Sequence, residues 1–118
     1  TKAIKIVPDF TEAFINRGII YNKLKNYEDA IADYTRAIRI DPDNFDAYYN
    51  RGNIYGRELG KHIEAIMDFT SAILIYPDFV DAYVNRGTSR FYLKLDYCSD
   101  DKRACDLGIC SYYIKFCN

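Results

Sequence analysis

Residues 11–44 read "TEAFINRGIIYNKLKNYEDAIADYTRAIRIDPDN", and residues 45–79 read "FDAYYNRGNIYGRELGKHIEAIMDFTSAILIYPDF". A third start, "VDAYVNRGTSRFYLK", follows at residues 80–94. The triplet Asn-Arg-Gly begins three times, at Asn16, Asn50 and Asn85. The pattern therefore returns after 34 and then after 35 residues. Self-similarity at a period of this size is typical of proteins built from stacked repeats.

Each unit is predicted to form two helices joined by a turn. Apolar residues recur at helical spacing, as at Ala30, Tyr34 and Ile38 of the first unit. The second helix of each complete unit is expected to stop before Pro42 or Pro77, because the residue before a proline is pushed out of the α region. A glycine inside such a helix costs about 1 kcal/mol relative to alanine. The glycine of the repeated triplet therefore needs a packing reason.

The repeated positions resemble the tetratricopeptide repeat family. The matching positions are Phe14, Tyr48 and Tyr83; Gly18, Gly52 and Gly87; Tyr21 and Tyr55; Ala30 and Ala65; Tyr34 and Phe69; Ala37 and Ala72; and Pro42 and Pro77. The resemblance covers about residues 1–108. It implies an all-α fold, a right-handed α-superhelix of helix–turn–helix repeats. The first helix of each repeat (helix A) would line a concave groove, and a second helix (helix B) would follow it.

The chain is predicted to be a single domain of this kind. Its parts would be residues 1–10, the end of a preceding helix B; residues 11–44, repeat 1; residues 45–79, repeat 2; residues 80–108, an atypical repeat 3; and residues 109–118, a C-terminal capping helix. In repeat 3, Asp101 stands where an aromatic residue is expected. We expect it on a face that meets water, as a terminal repeat needs. The half-repeat at the start would lack its partner helix, which makes a homo-oligomer possible.

The composition excludes several classes of partner. The chain has 118 residues, 49% of them hydrophobic, and a net charge of −1. It has no basic run, which argues against binding to nucleic acid or to an anionic membrane surface. It has no apolar run of the roughly 18–20 residues that a membrane span needs. Composition thus leaves one domain with a core of ordinary size, and the resemblance implies a protein partner for it.

Arginine is unusual at its place in the triplet, where the family mostly has an apolar residue. Each arginine has an acidic residue at one repeated place on helix B, which gives three candidate ion pairs: Arg17–Asp33, Arg51–Asp68 and Arg86–Asp100. Each could be a partly buried bidentate pair between the two helices of a repeat. In the alternative, the arginine stem packs while its charged head stays in water. The glycines Gly18 and Gly52 are expected to let helix A approach Ala30 and Ala65 of helix B closely.

The asparagines Asn16, Asn50 and Asn85 are the functional candidates. The resemblance places them in the concave groove, one in each repeat. A carboxamide carries both a donor and an acceptor, so it can pair with the backbone of an extended ligand. In the alternative, each asparagine bonds the neighbouring helix. The other residues predicted to line the groove are Ile15, Ile19, Tyr49, Asn53, Arg57, Val84 and Thr88.

Members of the family that bind chaperones clamp a C-terminal carboxylate with lysine, arginine and asparagine. Here the corresponding places of the first helix A hold Ile15 and Ile19, and those of the third hold Asp81 and Asn85. Only Asn50 matches that pattern. A carboxylate facing Asp81 without the cations would be repelled, so this ligand class is not expected.

All four cysteines lie in the last 21 residues, at 98, 105, 110 and 117. Two antiparallel helices there would pair Cys98 with Cys117 and Cys105 with Cys110. Such disulfides would imply a secreted or extracytoplasmic protein, whereas free thiols would suit the cytoplasm. Buried reduced thiols and a zinc site remain as alternatives, although no C-x₂₋₄-C spacing is present.

The sequence shows no constellation for catalysis. No glycine-rich phosphate loop and no C-x-x-C occur, and His62 is the only histidine. We therefore expect no enzyme activity, no cofactor and no metal. The expected function is a protein–protein interaction module that binds an extended peptide in its groove. Two alternatives are a structural or self-assembling end of a longer array and, more weakly, a thiol redox protein.

Overall fold

The structure is a computed structural model, and it describes residues 10–95 and 98–108. These residues form six α-helices and one π-helical turn, and no strand occurs among them. The helices are α1 (Thr11–Lys23), α2 (Tyr27–Ile40), α3 (Phe45–Asn53), α4 (His62–Ile75), α5 (Val80–Tyr92) and α6 (Cys98–Asp106), with the π-helical turn at Ile54–Glu58 after α3. Each helix packs against the next along the chain. The result is a stack of helical pairs, α1 with α2, α3 with α4 and α5 with α6.

Local chemistry sets the helix ends. Helices α2 and α4 end at Ile40 and Ile75, two residues before Pro42 and Pro77. This is where proline was expected to stop them. At the start of α3, the Asn44 side chain accepts a hydrogen bond from the Ala47 backbone N–H at 3.1 Å. That bond satisfies one of the donors left open at a helix N-terminus.

The core runs between the two helices of a pair and continues between neighbouring pairs. Tyr34 and Phe69, at the same place on α2 and α4, are almost fully buried. Their rings lie on the glycines of the triplet, because a Cβ added to Gly18 would stand 2.8 Å from the Tyr34 ring, and one added to Gly52 would stand 2.9 Å from the Phe69 ring. We expected these glycines to face the alanines of helix B, and this was wrong, because the aromatic rings of helix B lie nearest to them. Each glycine makes room for an aromatic ring.

The π-helical turn absorbs the extra residue of repeat 2. Repeats 1 and 3 leave helix A through Lys25 and Lys94, which both have positive φ angles of about 60°. In repeat 2 the residue with positive φ is Gly60, at 66°. A spacing of 34 residues from Lys25 would put this residue at position 59, so repeat 2 is one residue longer up to this point. The added residue lies in the wider turn before Gly60, where the Leu59 N–H bonds the Ile54 carbonyl at 3.0 Å. A single π-helical turn is a common way to accept one extra residue, and such turns often lie at functional sites.

In repeat 3, Asp101 does not face water. It is buried, with 7% of its surface exposed. Asp101 occupies the same repeat position as Tyr34 and Phe69. A side chain at this position lies between the two helices of a pair, and it is buried in all three repeats. Burial, followed by the charge of Asp100, raises the pKa of Asp101 above its ordinary value.

Some expectations fall on residues outside the described part. These are the half-repeat over 1–9 with its possible self-association, the capping helix over 109–118, and the cysteines at 110 and 117. They stay predictions. Among the described residues, no helix is long and apolar enough to cross a membrane.

Candidate interaction groove and its supporting ion pairs

The structure brings each arginine of the triplet onto its aspartate. Arg17 Nε and a terminal guanidinium nitrogen donate to the two Asp33 oxygens at 2.7 and 2.8 Å. The Arg51–Asp68 distances are 2.8 and 2.7 Å. Those of Arg86–Asp100 are 3.0 and 2.7 Å. We call Arg17, Arg51 and Arg86 the arginine row, and each forms the two-pronged contact for which a guanidinium is shaped.

Each guanidinium also has an aromatic ring three residues before it. The distance from the guanidinium carbon to the ring centre is 5.7 Å for Arg17 over Phe14, 5.8 Å for Arg51 over Tyr48 and 5.6 Å for Arg86 over Tyr83. These distances are within the range of cation–π attraction. The aromatic residue near the start of helix A therefore supports the ion pair as well as the core.

A threonine from the preceding repeat, which is not among the predicted site residues, completes the site. Arg51 donates to the Thr35 hydroxyl oxygen at 3.0 Å, and Arg86 donates to the Thr70 hydroxyl oxygen at 3.1 Å. Thr35 and Thr70 lie two residues after Asp33 and Asp68 on helix B, and this recurring spacing is the signal that could have found them. Through these bonds the arginine row joins one repeat to the next.

The three aspartates have two kinds of charge environment, because Asp33 and Asp100 each receive a second guanidinium, that of Asp100 coming from Arg90 at 2.9 Å, and Asp68 receives none from a described residue. Asp33 receives a second guanidinium from Arg36 at 2.7 Å, and the hydrogen bond from Arg17, helped by Arg36, lowers its pKa below the ordinary 3.8. Asp68 has no second cation among the described residues, because Ser71 stands at the place of Arg36. Burial raises the pKa of Asp68, against the opposing effect of Arg51. The same pair thus has a different electrostatic balance in repeats 1 and 2.

A cavity of about 490 Å³ lies between repeats 2 and 3, where α3, the π-helical turn, α4 and α5 meet. Five residues predicted for the groove line it: Asn53, Arg57, Val84, Asn85 and Thr88. Its other lining residues are Gly56, Gly60, His62, Phe69, Ser89 and Tyr92. The cavity therefore has backbone, amide, hydroxyl and aromatic surfaces within reach of one another.

The asparagines of the triplet, which we call the asparagine row, have three different environments. Asn16 is exposed and Asn50 is half-buried, and neither has a side-chain hydrogen bond to a described residue. Asn85 donates from its Nδ2 to the Tyr49 hydroxyl at 3.1 Å and to Asn53 Oδ1 at 2.8 Å. Asn85 alone of the row lines the cavity, and its bonds are to the neighbouring helix A, as in the alternative given above.

Other residues predicted for the groove take part in packing. Ile15 and Ile19 are half-buried against a core cluster that contains Tyr34 and Ile54. Tyr49 packs its ring on Phe79, with 4.6 Å between the ring centres. Only the Tyr49 hydroxyl reaches the polar side, where it accepts the bond from Asn85.

His62 lines the cavity, although no pattern in the sequence predicts this placement. It is half-buried, its Nδ1 is 3.1 Å from the Ser89 hydroxyl oxygen, and its ring stacks on Tyr92 at 4.9 Å and 8°. The stack fixes one wall of the cavity. Ser89 also lines the cavity. Its position could not be predicted from the sequence, because it depends on the rotation of α5 relative to α4.

The described part of the chain contains no group of three or more histidine, cysteine, aspartate or glutamate residues that could hold a metal ion. Cys98 and Cys105 lie seven residues apart on α6, and neither is a free thiol. The reading of these two cysteines as reduced, buried thiols is therefore not supported. The predicted pairing involves residues outside the described part.

Known proteins place this architecture in a family. A tetratricopeptide repeat family pattern matches residues 45–79, and a second TPR repeat pattern matches residues 20–58. No curated protein sequence matches the chain. Together with the repeated signature positions and the stacked helical pairs, these matches show that the chain belongs to the tetratricopeptide repeat family.

Solved structures of the same family are similar over most of their length. The first TPR of Spaghetti (RPAP3) bound to the HSP90 peptide SRMEEVD has 30% identity and a TM-score of 0.81, and the match covers 90% of this chain and 85% of that one. The second TPR of Spaghetti, bound to the same peptide, has 34% identity, coverage of 82% and 91%, and a TM-score of 0.78. The Arabidopsis OM64 TPR domain has 33% identity, coverage of 83% and 82%, and a TM-score of 0.77.

Proposed function

We propose that this chain is a non-catalytic protein–protein interaction module that binds an extended peptide segment of a partner in its groove. Two of the similar structures hold a peptide, which supports a peptide ligand for a chain of this fold. The cavity that supports the proposal lies where α3, the π-helical turn, α4 and α5 meet, and it would form the polar part of the groove.

The observation that carries the proposal is the pair Asn53 and Asn85. Asn85 uses its Nδ2 twice, toward Asn53 Oδ1 and the Tyr49 hydroxyl. This leaves Asn85 Oδ1 as an acceptor and Asn53 Nδ2 as a donor, and neither has a hydrogen bond to a described residue. Both side chains line the cavity. A peptide backbone offers one N–H and one C=O in each residue, so it can satisfy both amides without regard to its side chains.

The groove favours an internal segment over a chain terminus. Ile15 and Ile19 are half-buried in the core, and they offer no charge to a terminal carboxylate. Asp81 is exposed at the start of α5 and would repel one. The ligand that we propose therefore differs in its anchor from a C-terminal peptide held by cations.

Selection of random dodecapeptides displayed on phage, with the full chain as bait, tests the proposal. We expect selected peptides to bind the wild type in solution and to bind Asn53→Ala at least about fivefold more weakly, because the peptide loses one backbone hydrogen bond. Asn16→Ala is the matched control, since Asn16 is exposed and outside the cavity. Peptides that bind Asn53→Ala and the wild type equally would contradict this site. Failure to select any peptide would contradict the function.

We also propose that disulfides staple the C-terminal end through the pairs Cys98–Cys117 and Cys105–Cys110. The absence of a free thiol at Cys98 and Cys105 supports a disulfide at each of them, and the choice of partners rests on the spacing of the cysteines in the sequence. Mass spectrometry after alkylation without reductant should show no alkylated cysteine. Four alkylated cysteines would contradict the pairing and would also remove the reason to expect a secreted or extracytoplasmic protein.

A further inference from the structure

We propose that the cavity between repeats 2 and 3 is a specificity pocket for an acidic side chain of the bound segment, with Arg57 as its charged contact. This inference rests on the proposed function and names the chemistry that the groove would select. The shared chemistry is an anionic oxygen group on an extended peptide. Glutamate, aspartate or a phosphorylated serine could supply it.

The charge of the lining residues points to an anion. Of the eleven residues that line the cavity, Arg57 carries a formal charge, and none is an aspartate or a glutamate. Glu58, the next residue along the chain, is not among them, and its carboxylate accepts a hydrogen bond from the Tyr27 hydroxyl at 3.2 Å. A negative group entering the cavity would therefore meet a positive charge and no competing carboxylate of the lining. A positive group would meet repulsion, which makes the selection two-sided.

Arg57 is available for this contact, in contrast to the arginine row. Arg51 and Arg86 are tied to aspartate, threonine and an aromatic ring. Arg57 is exposed and forms no ion pair with any described residue. A guanidinium can bind both oxygens of a carboxylate or phosphate in a planar fork.

The π-helical turn sets the place of Arg57. Gly56 lies in that turn, and a Cβ added there would stand 3.1 Å from Ala65 Cβ and 3.1 Å from the Ser89 hydroxyl oxygen. The turn is therefore packed against both α4 and α5. Arg57 follows immediately, so its backbone is held at the edge of the cavity. The turn exists because repeat 2 has one residue more than repeat 1, and the pocket is thus a local feature of this repeat.

The remaining lining residues suit a side chain with an apolar stem and an anionic head. Val84 offers apolar surface, and Tyr92 forms a rigid wall through its stack on His62. The Tyr92 hydroxyl and Asn53 Nδ2 have no hydrogen bond to a described residue, so both can donate to the anion beside Arg57. Thr88 already donates to the Val84 carbonyl at 3.0 Å.

The test uses the peptides selected on the full chain. Each position of a bound peptide is replaced in turn by glutamate, glutamine, arginine and phosphoserine, and the affinity for each peptide is measured by fluorescence anisotropy. The proteins are the wild type, Arg57→Gln, Arg57→Glu and the control Arg39→Gln. Arg39 is also exposed and without an ion pair to a described residue, but it lies on α2 and not at the cavity. Thermal unfolding confirms that each variant is folded.

For the wild type we expect one peptide position at which glutamate binds about tenfold more tightly than glutamine, as one charge-assisted contact would give. The preference should vanish in Arg57→Gln, change to arginine in Arg57→Glu, and persist in Arg39→Gln. Phosphoserine above glutamate at that position would identify a phosphorylated segment as the source. Peptides that bind without this preference, or with a preference that survives Arg57→Gln, would overturn the pocket and leave the proposed function intact. If the wild type binds no peptide, both fail.

Discussion

The arginine row and the asparagine row come from the same triplet, yet only one of them repeats in three dimensions. Arg17, Arg51 and Arg86 each hold an aspartate of helix B in a bidentate pair. The asparagine next to each arginine is exposed in repeat 1, half-buried in repeat 2 and bonded to two side chains in repeat 3. The same triplet therefore gives one repeated contact in the arginine row and three different environments in the asparagine row.

The neighbours of each row explain the difference. The arginines find their partners on helix B, at positions that are themselves repeated in the sequence. Asn85 meets Tyr49 and Asn53 of the preceding helix A, and the corresponding positions of α1, 34 residues earlier, hold Ile15 and Ile19. These isoleucines have no polar atom for Asn50 to bond. The groove face is thus where repeats can differ while the stack stays the same.

The largest expected effect comes from removing an arginine from the middle of its row. Arg51→Met leaves Asp68, whose side chain is 6% exposed, without an ion partner among the described residues, and should lower the free energy of unfolding by about 3–5 kcal/mol. Arg17→Met should lower it less, because Asp33 keeps Arg36. Urea denaturation followed by circular dichroism measures both. Equal losses would show that the second cation does not matter.

The glycines should behave like the arginines, since their contacts are also repeated. Gly18→Ala and Gly52→Ala each place a methyl group within 3.0 Å of a ring on helix B. We expect each to destabilise the fold by about 1–3 kcal/mol from crowding, less the roughly 1 kcal/mol gained in helix propensity. Thermal melts of the two variants check this. A marked difference between the two variants in their loss of stability would show that the glycine contacts of repeats 1 and 2 are not equivalent.

The asparagines should behave differently from one another. Asn85→Ala removes two side-chain hydrogen bonds and should cost about 1–2 kcal/mol of unfolding free energy. Asn16→Ala changes an exposed side chain and should stay within about 0.5 kcal/mol of the wild type. The same urea titration measures both variants. Equal and small effects would mean that the polar cluster of Asn85, Asn53 and Tyr49 adds nothing to the stack.

The smallest expected effect is a difference in pH dependence between Asp33 and Asp68. The pKa of Asp33 is lowered, so its pair stabilises the fold above the ordinary value of 3.8, and this contribution is lost as the pH falls through the folded-state pKa. The pKa of Asp68 is raised, so the folded state takes up a proton more readily there, and stability should rise as the pH falls through that pKa toward 3.8.

Urea midpoints of the wild type, Asp33→Asn and Asp68→Asn between pH 3 and pH 7 separate the two effects. Asp33→Asn should lose less stability than the wild type below the ordinary pKa. Asp68→Asn should lack the gain in stability that the wild type shows as the pH falls toward 3.8. Asp101 is buried and has a raised pKa in all three proteins, so its contribution cancels in the differences. Parallel curves for the two variants would contradict the assignment.

The fold could be predicted from the sequence because its determinants repeat. The glycines, the helix-B aromatic residues and the prolines stand at constant places, and so do the ion-pair partners Arg51 and Asp68. The residues predicted for the groove agree less well with the cavity. Half of the proposed groove residues line the cavity, while Ile15 and Ile19 pack into the core, because the rotation of a helix about its axis is set by tertiary packing. Asp101 was placed on the wrong side for the same reason.

The hydrogen bonds of the arginine row join residues at characteristic separations in the sequence. The step from a threonine of one repeat to the arginine of the next is 16 residues both times. The step from arginine to aspartate within a repeat is 16, 17 and 14 residues. In these repeats the differences in length thus fall between the arginine of helix A and the aspartate of helix B, and the junction between repeats keeps its length. In evolutionary terms, related arrays should be searched for the constant junction, because the total period can drift without breaking the stack.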